Sequence, residues 1–267
     1  MNSNLITQDS SPVFPDVLWS KPERKDQAGH LLIIGGHSES ITPILESYAL
    51  ASSLGAGKIS VAIPEALKKS MPGGPDIIYC DSTTSGSLSK DALPILLQAA
   101  QETDMILLPG AMSNNSQSFQ LLERLLEKIG KPLVVSGDSL HALLNIKGAL
   151  DNPDICAVLN PSQLQHLVKK SGGTTAYTSG ASLMQMQQIL HDITGKGSLL
   201  ALHNKDIWTS TQGRVSKTKR ADHIGEFTWQ VPTATACAVY WMHNPDLPFE
   251  AFTTASLDQE MLTSSGL

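Results

Sequence analysis

Short apolar runs separated by helix-period stretches recur along the chain, and the first of them sets the frame. Leu31-Leu32-Ile33-Ile34 has the length and composition of a strand buried on both faces. Gly35-Gly36 breaks the run, and a Ser/Glu/Thr-rich loop leads to Pro43, a residue suited to a first helical turn because its missing N–H would be unpaired there. Ile44, Leu45, Tyr48, Ala51 and Leu54 keep nearly a 3.6-residue period, predicting a helix over 43–54. Gly55-Ala56-Gly57 stops it, and residues 58–63 read as the next strand, ended by Pro64. The result is a βαβ unit with its glycines at the carboxyl end of the first strand, where open α/β sheets place ligands. By themselves Gly35-Gly36 read first as a plain tight turn and second as an anion cradle. No GxGxxG, no GxxxxGK[ST] and no acidic residue at the dinucleotide spacing accompanies them.

The pattern repeats. Residues 76–80, 105–108, 132–136, 156–159 and 198–202 read as further short strands, and Pro109-Gly110, Gly137-Asp138 and Asn160-Pro161 punctuate three of them. Helices are predicted over 90–101 with Ser89 as cap, through Phe119, Leu122, Leu125, Leu126 and Ile129, over 163–170 with Ser162 as cap, and over 181–194. Residues 206–210 and 214–216 flank Gln212-Gly213 as a β-hairpin. An apolar helix over 232–242 and a short one over 248–254 follow. This alternation predicts an α/β fold with a mostly parallel central sheet and helices on both faces. Residues 1–14 read as an N-terminal arm, 15–245 as one domain and 246–267 as a C-terminal helix and tail.

Composition narrows the function classes. The 267 residues are 41% hydrophobic and 16% charged, enough to bury a substantial core. A net charge of −6 provides no basic stripe to neutralise phosphates, so nucleic acid is not an expected partner; Lys217-Thr218-Lys219-Arg220 reads as a solvated loop. Three scattered cysteines without a CxxC read as reduced thiols of a cytoplasmic protein. No apolar run reaches membrane-spanning length, and the polar lead-in lacks the pattern of a signal peptide. No set of metal ligands stands out.

Five pieces in order carry a resemblance. They are Gly35-Gly36-His37-Ser38, Leu54-Gly55-Ala56-Gly57-Lys58-Ile59-Ser60-Val61, Leu108-Pro109-Gly110, Val135-Ser136-Gly137-Asp138-Ser139-Leu140 and Val158-Leu159-Asn160-Pro161-Ser162. Together they are similar to the GGS or GGD, RAGAGLVTV, GPG, VLDADAL and VLTPH segments of the ribokinase-like NAD(P)H-hydrate dehydratases, over roughly residues 22–242. The resemblance implies a ribokinase-like fold, ATP or ADP with magnesium as cofactor, a hydrated NADH or NADPH as ligand, and a hydro-lyase or small-molecule kinase reaction, with a homo-oligomer possible. It implies substrate near Gly35, Gly36, His37, Pro109, Gly110, Asn160 and Pro161. Nucleotide is implied near His203, Asn204, Thr228, Trp229 and Gln230.

The chain departs from the family at one corner. The family's GTGD, whose Asp is the proton acceptor and whose glycines let backbone approach phosphate, falls on Phe227-Thr228-Trp229-Gln230. Gln230 takes no proton at neutral pH. Ser136 stands at the first Asp of VLDADAL, leaving Asp138. The family's nucleotide-side Lys-Gly falls on His203-Asn204, where the His is either a substitute cation or a structural strand-end residue. Asp138 and Glu226 are the candidate catalytic carboxylates, with Asp222 a further option. The alternative is a catalytically inactive ligand-binding protein on the same scaffold.

Overall fold

The computed structural model describes residues 5–71, 74, 76–171, 175–220 and 229–259. Among them ten strands form one sheet: β1 (Ile6–Gln8), β2 (His30–Ile34), β3 (Lys58–Pro64), β4 (Ile77–Cys80), β5 (Met105–Leu108), β6 (Leu133–Ser136), β7 (Ile155–Leu159), β8 (Ser198–His203), β9 (Asp206–Thr211) and β10 (Arg214–Lys219). Their order is β1-β10-β9-β8-β7-β6-β5-β2-β3-β4. Strands β2 to β8 run parallel, β9 is antiparallel to both its neighbours, and β1 is parallel to β10.

The period-2 alternation of a strand explains why the parallel core reads as unbroken apolar runs. Leu31 and Ile33 enter the hydrophobic cluster on one face, and Leu32 and Ile34 enter the cluster on the other. Cys156 and Val158 divide in the same way from Ala157 and Leu159. The first face carries α2 (Thr42–Leu54), α8 (Gln230–His243) and α9 (Pro248–Ala255), with the four-residue α1 (Asp16–Trp19) beside them. The second carries α3 (Leu93–Gln101), α4 (Ser116–Lys128), the single turn α5 (Leu140–Leu143), α6 (Pro161–Ser171) and α7 (Leu183–Ile193). Helices thus cover both faces, as the alternation predicts.

Strand order reverses between β2 and β5. The chain leaving β2 turns to α2 on one face, and the chain leaving β5 turns to α4 on the other. The carboxyl ends of these two neighbours therefore open a crevice at a topological switch point.

Four details differ from the sequence reading. Part of the lead-in is a strand: β1 pairs with β10, and the buried Gln8 donates to Thr218 Oγ1 (3.1 Å) and the Thr253 carbonyl (2.6 Å) while accepting from Val13 N–H. Its polarity hid it, since Gln8 is a core residue whose partners are distant in sequence. The turn at Gln212-Gly213 is present, with φ of 49° and 81°, but a second hairpin joins β8 to β9 through Asn204 and Lys205, at φ of 50° and 67°. Helix α6 begins at Pro161, two residues before the expected start, because Asn160 rather than Ser162 caps it. Helix α7, expected over 181–194, runs from Leu183 to Ile193 because Ser182 caps it.

The three cysteines are free and buried. Burial, with the charge of Asp81 beside it, pushes the Cys80 thiol up to about 12. Cys156, on β7 against Cys237 of α8, is held well above the ordinary thiol range by burial and by that neighbour.

Replacing Gln8 by Ala removes a buried amide and its three hydrogen bonds, to Thr218 Oγ1, the Thr253 carbonyl and Val13 N–H. We expect a loss of about 1–3 kcal/mol, read as a lower midpoint in urea with unchanged slope. His243, in the last turn of α8, has its pKa lowered by burial; the Lys21 charge adds to this, and hydrogen bonds to Ala28 and Gly55 oppose it. A depressed histidine contributes stability above its unfolded value, near 6.5, and loses it as pH falls through the folded value. The Tm should therefore drop between pH 7.5 and pH 5.5, and His243→Gln should flatten that drop.

Candidate functional site

The crevice is built first from glycine. Gly35, just past β2, has φ of 153°, and a Cβ there would lie 2.7 Å from the Gly110 carbonyl and 2.8 Å from Ile44 Cδ1. Two backbones from opposite sides of the switch point thus meet at a distance no side chain permits. Gly110 itself, at φ of 112°, lies against Asp138: a Cβ would stand 3.3 Å from Asp138 Oδ1. The turns after β2, β5 and β6 are one packed unit.

Asp138 organises that unit. Its carboxylate accepts from Met112 N–H (3.1 and 3.0 Å to the two oxygens) and from Ser113 N–H (3.2 Å). Those donors belong to a loop in which Ala111 and Ser113 hold φ of 60° and 68°, a left-handed backbone that non-glycine residues adopt at a cost of about 1–2 kcal/mol each. The carboxylate holds this loop in a concave, N–H-lined shape. Ser136, at the first Asp of the family motif, donates its hydroxyl to the Pro109 carbonyl (3.1 Å) and closes β5 onto β6.

The next turn is joined by amides. Asn160 Oδ1 accepts from Gln163 N–H and Gln163 Oε1 accepts from Asn160 N–H, both at 2.9 Å, a reciprocal cap at the start of α6. Gln163 Nε2 donates to the Gly137 carbonyl (2.8 Å), beside Asp138. Gln230 Nε2 then donates to the Val158 carbonyl (2.7 Å) and to Gln163 Oε1 (3.1 Å). Hydrogen bonds thus run from the carboxyl ends of β6 and β7 to the first residue of α8.

Beside Asp138, on the α4–α5 side, lies an open cavity of about 470 Å³. Ser113, Asn115, Phe119, Glu123 and His141 line it together with Asp138. Asn115 caps α4 through Oδ1, and its buried Nδ2 has no hydrogen-bond partner.

The sequence-selected residues divide accordingly. Gly35, Pro109, Gly110 and Asp138 converge, and Asn160 and Gln230 join them through Gln163. Gly36, at φ of 89°, packs on Ile41, and Pro161 begins α6 with its side chain exposed. His37 pairs with Ser40 in a local turn braced by Ser87, its Nδ1 accepting from Glu39 N–H.

His203 is 3% exposed, with Nε2 against the Ala181 carbonyl (2.9 Å) and Nδ1 against the Tyr177 hydroxyl (3.3 Å). Both ring nitrogens are engaged within the protein, and the Tyr177 and Trp208 rings stand edge-on to it. The structure places His203 as a buried residue at the end of β8, held by its own neighbours. Asn204, read as nucleotide-side, is an exposed hairpin-turn residue whose Nδ2 meets His203 Nε2. Asp222, Glu226 and Thr228 lie outside the described residues. Gln163, Ser113, Asn115 and His141 were missed; only the Asn160-x-x-Gln163 spacing, a capping-box signature, pointed to one of them.

No protein-family model matches the chain. A curated relative, the bifunctional NAD(P)H-hydrate repair enzyme of Moorella thermoacetica, is 27% identical over 168 residues, 59% of this chain and 31% of that protein. The corresponding enzyme of Dictyoglomus turgidum is 27% identical over 157 residues, 57% of this chain and 30% of that protein. The match thus spans less than a third of the relatives' length. In structure, a ribokinase-like superfamily protein of Enterococcus faecalis superposes with TM-score 0.69 at 14% identity, covering 97% of this chain and 89% of that one. The ADP/ATP-dependent NAD(P)H-hydrate dehydratase of Bacillus subtilis, co-crystallised with ATP and Mg2+, superposes with TM-score 0.56 at 13% identity, covering 90% and 83%. The chain thus has a ribokinase-like fold and is similar in sequence to part of the NAD(P)H-hydrate repair enzymes.

The ribokinase-like frame sharpens the question of the nucleotide corner. A phosphate cradle at the start of α8 needs free N–H groups and close backbone approach. Trp229, the residue before α8, is 1% exposed, its indole in the same cluster as Leu200, Leu202 and Ala234. Pro232, third in the helix, has no N–H to offer. Among the described residues the first turn of α8 does not fit such a cradle, and no group of three or more His, Cys, Asp or Glu is placed to hold a metal ion.

Replacing Asp138 by Ala leaves two backbone donors unpaired and releases a loop held in left-handed conformations. A loss of about 2–3 kcal/mol is expected, a Tm fall of about 4–12 °C. Asp138→Asn, which keeps one acceptor oxygen, should lose less by the same calorimetric measurement.

Proposed function

We propose that this chain acts in nicotinamide-nucleotide repair as a divergent NAD(P)H-hydrate dehydratase, holding hydrated NADH or NADPH where the turns after β2, β5, β6 and β7 meet. The observation that carries this reading is the contact of Gly35 with Gly110 at the switch point, directly beside Asp138. It places a carboxylate and closely packed backbone where an α/β sheet takes its ligand. The curated relatives, named as NAD(P)H-hydrate repair enzymes, support the choice of ligand. Asp138 shapes the β5 loop, and the proton-accepting duty falls to Asp138 or Glu226, because Gln230 is an amide. ATP or ADP with magnesium is the cofactor that the Bacillus subtilis neighbour's crystals suggest. The first turn of α8 offers it no cradle, and we assign it no step. A cytoplasmic location and a small-molecule rather than nucleic-acid or membrane partner go with this reading; no described helix is long and apolar enough to cross a membrane.

One observation favours a second reading, binding without turnover: both amide protons of Gln230 are spent on Val158 and Gln163, at the position where the family has its proton acceptor.

The two readings separate in one pair of measurements. Purified protein is incubated with hydrated NADH and ADP or ATP with magnesium, and dehydration is followed at 340 nm; midpoints are measured with NADH, NADPH and the adenine nucleotides. Turnover that falls at least tenfold in Asp138→Asn or Glu226→Gln, with the fold retained, is the expected result for the dehydratase. A midpoint raised by NADPH with no turnover identifies the binding protein. Neither response at millimolar ligand overturns both.

A further inference from the structure

We infer that position 230 is a positioning residue whose chemistry is fixed as a hydrogen-bond donor, so that the amide there is a built part of the site and a carboxylate cannot work in its place.

The orientation of Gln163 is settled by two main-chain groups. Its Oε1 accepts from Asn160 N–H at 2.9 Å and its Nε2 donates to the Gly137 carbonyl at 2.8 Å, so the reversed amide would set like against like at both ends. Oε1 therefore faces Gln230 as an acceptor. The Val158 carbonyl faces it as a second one. The group at 230 meets two oxygens, at 3.1 and 2.7 Å, and only a donor satisfies them. Gln230 Nε2 has two protons and spends both. An ionised carboxylate in the same place would bring a negative oxygen against two oxygen acceptors in a half-buried site, with no proton to give to either.

The consequence reaches the ligand crevice. Through Gln163, the donor at 230 holds the Asn160 turn and, by the Gly137 carbonyl, the backbone next to Asp138. Gln230 Oε1 takes no hydrogen bond from the described residues, and the side chain is only half-buried. With both amide protons spent, the group the side chain has left to offer a ligand is Oε1, a neutral acceptor that suits an uncharged donor such as a carboxamide or hydroxyl and repels a phosphate oxygen. The missing proton acceptor of the family motif is accordingly not a vacancy that one substitution refills. This inference concerns the clamp in the free protein, and its test needs no ligand, so its failure is distinct from failure of the repair reading.

The test is the pH dependence of the melting midpoint in Gln230→Glu, Gln230→Met, Gln230→Lys and the wild type, from pH 4.5 to pH 8. The new carboxyl in Gln230→Glu is held above its unfolded value, near 4.3, by the two oxygens it faces. Its protonated form is the one that fits, and stability is lost as pH rises through the folded value. We expect the gap to wild type to widen by about 3–8 °C between pH 4.5 and pH 8. Gln230→Met, which lacks the donor but carries no charge, should show a gap that does not change with pH. Gln230→Lys keeps a donor across the range and should stay closer to wild type than Gln230→Glu at pH 8. A pH-independent gap in Gln230→Glu, or a glutamate variant as stable as wild type at pH 8, overturns the inference. If no glutamate variant can be purified, Gln163→Glu, which sets an oxygen against the Gly137 carbonyl, must show the same widening gap, and a flat one is equally fatal.

Discussion

The contact on which the site depends is the approach of Gly35 to the carbonyl of Gly110. Strand order reverses between β2 and β5, so the chain diverges to opposite faces after each, and the two turns are the inner walls of the crevice that divergence opens. A single Cβ at position 35 would fall 2.7 Å from that carbonyl and drive the walls apart. Gly110, in turn, leaves room for the Asp138 carboxylate. The carboxylate then fixes Met112 and Ser113, and with them a loop that would otherwise relax from its left-handed conformations. Each step is permitted by the one before it.

Much of the frame was legible because the parallel strands are buried on both faces and therefore write themselves as apolar runs. Leu31 to Ile34 and Met105 to Leu108 needed no context to be found. Elements held by polar side chains were not legible. β1 is anchored by Gln8 to residues more than two hundred positions away, and the Asn204-Lys205 hairpin lacks the glycine that usually announces such a turn. In the candidate site, Gly35, Gly110 and Asp138 were readable as turns at strand ends and from the resemblance. Their mutual contact was not, because it depends on strand order, which no local pattern encodes. Gln163 is the clearest omission, since its cap to Asn160 was written in the sequence while its second role, bridging Gly137 to Gln230, exists only in three dimensions.

The start of α8, which the resemblance aligns with the end of a phosphate loop, is filled by buried side chains. Trp229 puts an indole into the core on the α8 face, at a position that the resemblance aligns with a glycine of the phosphate loop. Burying a side chain of that size is worth on the order of 3 kcal/mol. Its Nε1, buried without a hydrogen-bond partner, offsets about 1–3 kcal/mol of that gain. Pro232 removes one helix N–H, and Gln230 turns the side chain at the base position into a donor. These three changes agree in sign: each makes the start of α8 less able to hold a negative oxygen and more able to hold its own neighbours.

The two halves of the crevice therefore answer to different physics. On the β2–β5–β6 side two backbones approach closely, with glycine where glycine is required and a carboxylate held by main-chain N–H groups. On the α8 side the described residues offer packing and a neutral amide relay. A ligand that fits both halves must present its charged portion away from the first turn of α8 and its uncharged polar portion toward Gln230. A dinucleotide with a carboxamide-bearing ring at one end has that division of character, in keeping with the nicotinamide nucleotide proposed above as the ligand.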